Sequence, residues 1–204
     1  MLTDLKTGDI VLFNCQKGII GKFIQWITNS YYSHVGIVLK NPTFIKENLN
    51  GLYLWESGRE SFGDSEDNQI KFGVQIVDLK KSIKSAIENN NYKVYYRKLL
   101  NKSDISNQQL KFIHELVHNK PYDILPTDWL EAYFNYDLHP KKKNRFWCSA
   151  LVGFIYNKLN ILSKDVDWSI LKPNDFSSDS KLKFIDNIYL DKEILIENIE
   201  NLNI

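Results

Sequence analysis

Residues 146–159 constrain the rest of the chain most tightly. Phe146-Trp147-Cys148-Ser149-Ala150-Leu151-Val152 reads as the first turns of a helix. Leu151, Val152, Phe154, Ile155 and Leu159 then continue at a helical spacing that gives one buried stripe. A polar run from Lys141 to Arg145 precedes the segment, so the helix starts near Trp147. The Cys148 thiol therefore falls at a helix N-terminus, where unpaired N–H groups and the positive end of the dipole favour a thiolate. A thiolate nucleophile also needs a base, and the base needs a group that orients it.

The chain has 204 residues, a length that suits one domain spanning 1–204, and 43% of them are hydrophobic, enough for a packed core. Its net charge of +1 gives no reason to expect a nucleic-acid partner. No basic start leads into an apolar signal-type segment, and no run of 18 apolar residues exists. The most apolar early stretch, Ile19 to Ile27, is interrupted by Gly21, Lys22 and Gln25. These features predict a soluble, cytoplasmic protein. Abundant Asn, Lys and Ile fit an AT-rich genome, and host cytoplasm or virion would follow for a viral source. Cys15 and Cys148 are the only cysteines, and free thiols in a reducing compartment are expected.

Along the chain, Gly8-Asp9 is a turn entering a strand through Phe13, and Ile19 to Ile27 is a short helix closed by Asn29-Ser30. Ser33-His34-Val35-Gly36-Ile37-Val38-Leu39 is a β-branched strand ended by Asn41-Pro42, and residues 51–58 form the next strand. Residues 59–71 read as a polar surface loop. A short strand from Gly73 to Asp78, a helix from Leu79 to Glu88 and a strand from Tyr92 to Leu99 follow. Ser106 to Asn119 is a helix stopped by Pro121. Residues 123–145 read as an aromatic covering insertion, in which Trp129, Tyr133, Phe134 and Tyr136 would form a lid or groove wall. A turn at Lys172-Pro173-Asn174 leads to a short helix. The extension from about residue 179 is expected to hold a strand and a final helix. Strands bracketed by helices without regular βαβ alternation make the fold class α+β, a small antiparallel sheet packed against helices.

His34 is the outstanding base. It begins a strong strand at a position that a buried sheet would otherwise fill with an apolar residue. Glu56 lies in the next strand, within Leu54-Trp55-Glu56, where a buried carboxylate is expensive without a partner. Antiparallel pairing of these strands would set His34 and Glu56 side by side on one face. Packing of the Cys148 helix on that face would align thiolate, imidazole and carboxylate.

The motifs Thr7-Gly8-Asp9-Ile10-Val11, Ser33-His34-Val35-Gly36-Ile37-Val38, Glu56, Pro121-Tyr122-Asp123 and Trp147-Cys148-Ser149-Ala150-Leu151-Val152, in that order, resemble the circularly permuted NlpC/P60 papain-like superfamily. The similarity is nearest to bacterial and poxvirus-type members with His-Glu-Cys order, and spans about residues 5–178. It implies Cys148 as nucleophile, His34 as general base and acid, Glu56 as the orienting group and Tyr122 near the site, with Ser33 and Trp147 flanking it. The backbone N–H of Cys148 is a natural oxyanion donor. The implied activity is a cysteine hydrolase acting on an amide, peptide or thioester bond through an acyl-enzyme. No cofactor is needed, and the partner is a peptide, amide or acyl substrate.

Three other readings compete. Permuted lipid acyltransferases and phospholipases share the scaffold, but they usually carry a second histidine where this chain has Glu56, and often a hydrophobic tail. A non-catalytic binding or virion-structural protein on the same scaffold has no need of all three site residues. His114-Glu115-Leu116-Val117-His118 matches the zinc-protease helix signature. Against that reading, both histidines fall at the edge of the buried arc, Glu115 points to solvent, Pro121 ends the helix, and Ile124 stands where metzincin spacing needs histidine. Glu131, Asp137 or His139 would have to supply a third ligand.

Overall fold

The computed structural model describes residues 4–89, 91–102, 105–123 and 144–197. Its main element is a six-stranded antiparallel sheet. Along the chain come β1 (Ile10–Cys15), α1 (Ile19–Ile27), β2 (His34–Lys40), β3 (Leu52–Arg59), β4 (Phe72–Asp78) and α2 (Leu79–Lys84). After these come β5 (Tyr92–Arg97), β6 (Leu99–Leu100), α3 (Asn107–Val117), α4 (Cys148–Lys158), β7 (Tyr189–Leu190) and β8 (Ile194–Leu195). The strand order is β4-β3-β2-β1-β5-β8, and β6 pairs with β7 separately. The successive strands β1–β2, β2–β3 and β3–β4 pair antiparallel, in agreement with the α+β expectation.

Strand alternation sends side chains to two cores. Val35, Ile37, Leu39, Trp55, Val74 and Ile76 join the residues of α3 and α4 in one cluster. Val38, Leu54 and Val77 join Leu79 and Ile83 of α2 in the other. The Leu54 side chain of β3 packs directly over Gly36 of β2, where a Cβ would come within 2.7 Å of it. Helix α4 lies against β2 and β3. Its residues from Cys148 to Tyr156 are all buried, so the single stripe expected from the sequence widens to the whole first three-quarters of the helix.

The Gly8-Asp9 turn ties this layer together. Gly8 has φ +102°, a conformation that glycine adopts without penalty. The Asp9 carboxylate accepts the backbone N–H groups of Lys6 and Leu99, each at 2.8 Å, and the Tyr156 hydroxyl of α4 donates to the Gly8 carbonyl at 2.6 Å. Burial raises the Asp9 carboxyl above its ordinary range despite those N–H partners.

Two expectations change, and a third lies outside the described residues. The helix expected over 79–88 is α-helical only to Lys84 and widens into a π turn over Ser85–Asn89. The described tail, to residue 197, forms the short strands β7 and β8 and no helix. It is held by the buried Arg97 guanidinium, which donates to the carbonyls of Asp191, Phe176 and Leu190, so docking onto β5 overrides the tail's own periodicity. The covering insertion falls mostly on residues 124–143, outside the described residues, together with Trp129, Tyr133, Phe134 and Tyr136. No helix among the described residues is long and apolar enough to cross a membrane.

Candidate active site

Cys148 is the first residue of α4, with Trp147 in the cap position. The Trp147 side chain makes no cap hydrogen bond; its indole N–H donates instead to the Leu171 carbonyl at 3.0 Å, and the Ser149 hydroxyl donates to the same carbonyl at 2.6 Å. Two side chains flanking Cys148 are thus pinned to one loop, which fixes the start of the helix while leaving its first N–H groups without a side-chain acceptor from the cap. Both cysteines are free thiols. Cys15 ends β1 and is fully buried.

His34 begins β2 and is part-exposed, with its ring 5.3 Å from that of Phe13. Its Nε2 lies 2.5 Å from Oε2 of Glu56, which is 2% exposed. That leaves Nδ1 as the ring nitrogen available to a second partner, and Cys148 acts on the same ring by charge and by hydrogen bonding. Burial pulls the basicity of His34 down. The Glu56 carboxylate and then Cys148 pull it up and prevail, so the ring holds its proton well above the ordinary histidine range.

The second oxygen of Glu56 is also held. Gln75 stands directly opposite Glu56 in the β3–β4 register, and its Nε2 donates to Glu56 Oε1 at 2.8 Å. Both carboxylate oxygens therefore have fixed partners, which is how a carboxylate can sit in a sheet interior. Glu60 lies beyond, accepting the Ser82 hydroxyl at 2.8 Å. Burial, and then the charge of Glu56, push the Glu60 carboxyl up to about 7. Gly58 makes room for the pair: a Cβ there would stand 3.2 Å from His34 Cε1 and 3.5 Å from Glu56 Oε1.

Tyr122 is brought to the same place. Its ring stacks on Phe72 at 4.8 Å, and its backbone N–H donates to the Phe72 carbonyl. Burial, then the neighbouring Cys148, Asp123 and Glu56, keep its phenol protonated far above the usual range. Ser33 is not brought in. It is buried, its hydroxyl donates to the Phe13 carbonyl at 3.2 Å, and it hydrogen-bonds Tyr92. Ser33 precedes β2, and these partners hold its hydroxyl.

The expected packing also needs correcting. Helix α4 does not lie on the face that carries His34 and Glu56; it covers the face of Val35, Ile37 and Trp55. His34 and Cys148 are each the first residue of their element, and Cys148 still bears on the His34 ring. The sequence reading missed Gln75, Gly58 and Glu60. In the zinc signature, Glu115 is exposed as expected, but His114 and His118 both contact Glu66. Glu131, Asp137 and His139 lie outside the described residues.

No curated protein matches this sequence. Residues 4–201 match the family described as permuted papain-like amidase enzymes, YaeF/YiiX, C92 family. That match covers nearly the whole chain and agrees with an antiparallel sheet flanked by helices, so the chain belongs to the permuted papain-like amidase family C92.

Proposed function

We propose that this family member is a cysteine hydrolase that cleaves an amide, peptide or thioester bond through Cys148, His34 and Glu56, in the His-Glu-Cys order of the permuted NlpC/P60-type enzymes. The observation that carries the reading is the His34 ring, engaged by Glu56 on one side and by the Cys148 thiol on the other.

Each residue has a defined task. His34 already holds the proton given up by the thiol, so Cys148 stands as a thiolate whose sulfur attacks the carbonyl carbon of the substrate. The carbonyl π electrons move onto oxygen, which the N–H of Cys148 at the helix start can receive. Collapse of the tetrahedral adduct breaks the bond to the leaving group, and the proton held by His34 goes to that group. Water then attacks the thioester, giving its proton back through His34, and the acid product leaves with the thiol restored. Glu56 fixes the tautomer and orientation of the ring and favours its charged form. Gln75 holds Glu56, and the protonated Tyr122 offers an O–H donor beside the sulfur.

The test is labelling of purified protein with a panel of acyl and peptidyl electrophiles, with the modified residue mapped by mass spectrometry. Label on Cys148, absent after Cys148→Ala and His34→Ala, is the expected result. A wild-type chain that stays unlabelled at neutral pH, or label residing on Cys15, rejects the mechanism.

A further inference from the structure

The loop between β3 and β4 and the C-terminal end of α3 meet at a cluster the proposed hydrolysis does not use. His114 Nε2 lies 3.0 Å and His118 Nδ1 3.1 Å from the same oxygen, Oε2 of Glu66. The three ligand atoms all fall within 4.8 Å of one another. A tetrahedral zinc ion with bonds of about 2.0–2.1 Å holds its ligand atoms about 3.3 Å apart. The cluster therefore needs only small side-chain adjustments to close on an ion.

We propose that Glu66, His114 and His118 form a binding site for one divalent transition-metal ion of the zinc class, clipping the 60–71 loop to α3 apart from the Cys148 site. Two imidazoles and one carboxylate are a donor set that zinc accepts, with water completing the tetrahedron. The side chains are 27%, 13% and 32% exposed in the order Glu66, His114, His118, so an ion can enter and a water can remain bound.

The frame is built before any ion arrives. Leu110, Ile113 and Val117 anchor α3 in the core on its other side. His114 sits inside the helix and offers Nε2. His118 is its C-cap, with φ −51° and ψ 134°, and offers Nδ1. The rings of Phe44 and Trp55 back His114 at 6.0 and 6.1 Å. Asp64 sets the loop, accepting the N–H of Glu66 at 2.7 Å. Lys71 engages Asp64 and Asp67, each at 2.9 Å, so those carboxylates are paired while Glu66 faces the rings.

The clip would steady two walls of the Cys148 site. The loop runs into β4, which carries Gln75, and α3 runs into Tyr122 through Lys120 and Pro121, whose backbone abuts Gly73. At Gly73 a Cβ would come within 2.3 Å of the Lys120 carbonyl, so these two walls already touch.

The experiment is a zinc chloride titration of the chelator-stripped full chain by calorimetry, with melting curves in parallel. One zinc per chain is expected, with a rise in melting temperature of about 5–10 °C at a hundredfold excess over the dissociation constant. Glu66→Gln and His118→Gln should each weaken binding at least about tenfold. Both replace part-exposed side chains, and their metal-free melting curves report whether the fold persists. Glu115→Gln and Cys148→Ser should bind like the wild type. Absence of a saturable site, a site that survives both ligand substitutions, or one that vanishes with Cys148→Ser alone overturns the proposal.

Discussion

His34 Nε2 stands 2.5 Å from Glu56 Oε2, although the regular β2–β3 register runs only from Lys40↔Leu52 to Ile37↔Trp55 and stops short of both residues. The contact is made where the two strands part, and the carboxylate is the largest influence raising the basicity of the ring. Glu56→Gln keeps a hydrogen-bonding side chain of the same shape but removes the charge. Expected outcomes are a loss of roughly a hundredfold in the rate of Cys148 acylation, and a shift to lower pH of the limb assigned to His34 in the pH–rate profile. Stopped-flow labelling of Cys148 across pH measures both, and an unmoved limb would show that Glu56 does not set the state of the ring.

Gln75 is the residue that keeps Glu56 in place. Its Nε2 donates to Glu56, while its own Oε1 is buried without a partner among the described residues. Gln75→Leu removes a needed donor and an unpartnered acceptor together, so the stability loss should stay near about 1 kcal/mol. With Glu56 Oε1 released, the proposed triad loses orientation. A fall of about tenfold in kcat with little change in KM is expected, together with a small drop in melting temperature. Denaturant melts and steady-state kinetics on the same preparation separate the two effects.

The difference between Glu56 and Gln75 shows what the sequence could and could not disclose. Cys148, His34 and Glu56 each stand out, because a thiol at a helix start is poised for reaction and an ionisable group in an apolar strand is costly without a partner. A glutamine in Gly73-Val74-Gln75-Ile76 is ordinary. Only the cross-strand match Glu56↔Gln75 gives it meaning, and that register is set by the way the long loop before β4 is folded around Asp64. Glu66 was hidden for the same reason: the loop that carries it looks like plain polar surface, yet it returns to α3. The face taken by α4 could not be read either, because burial of the whole helix start erased the stripe that would have pointed to it.

Glu60 makes stability depend on pH in a defined direction. Its carboxyl titrates near 4.5 when unfolded and is pushed up to about 7 in the fold by burial, then by Glu56. Between those values the folded state holds a proton that the unfolded state has released. Stability from this group is therefore fully present below about pH 4.5 and is lost as pH rises through about 7. His34, also raised, contributes in the same direction, with its share lost only as pH rises through its own elevated value. Glu60→Gln keeps a group that the Ser82 hydroxyl can still bond and abolishes the titration. The variant should gain on the wild type by on the order of 2 kcal/mol above pH 8, with the gain shrinking toward pH 4.5. Urea melts at four pH values would show it, and parallel curves would exclude Glu60 as the source.

Gly58 is where the site depends on an absent side chain. Its φ is not in the left-handed region, so alanine is acceptable to the backbone, and the obstacle is the 3.2 Å approach of a new Cβ to His34 Cε1. That spacing requires the ring to give by a few tenths of an ångström. The ring is confined by Phe13 on one side and bound to Glu56 on another, so the movement comes out of its alignment with the Cys148 thiol. Misplacement on this scale lowers rate far more than stability, because proton transfer and attack need near-contact geometry while the core is untouched. Gly58→Ala is therefore expected to lower the rate of Cys148 labelling by about 10- to 100-fold, with a melting temperature within a few degrees of wild type. Gly58→Ser should do no better, since it adds the same Cβ. Labelling at the wild-type rate in both variants would mean that the ring reaches the sulfur by a path that Gly58 does not bound.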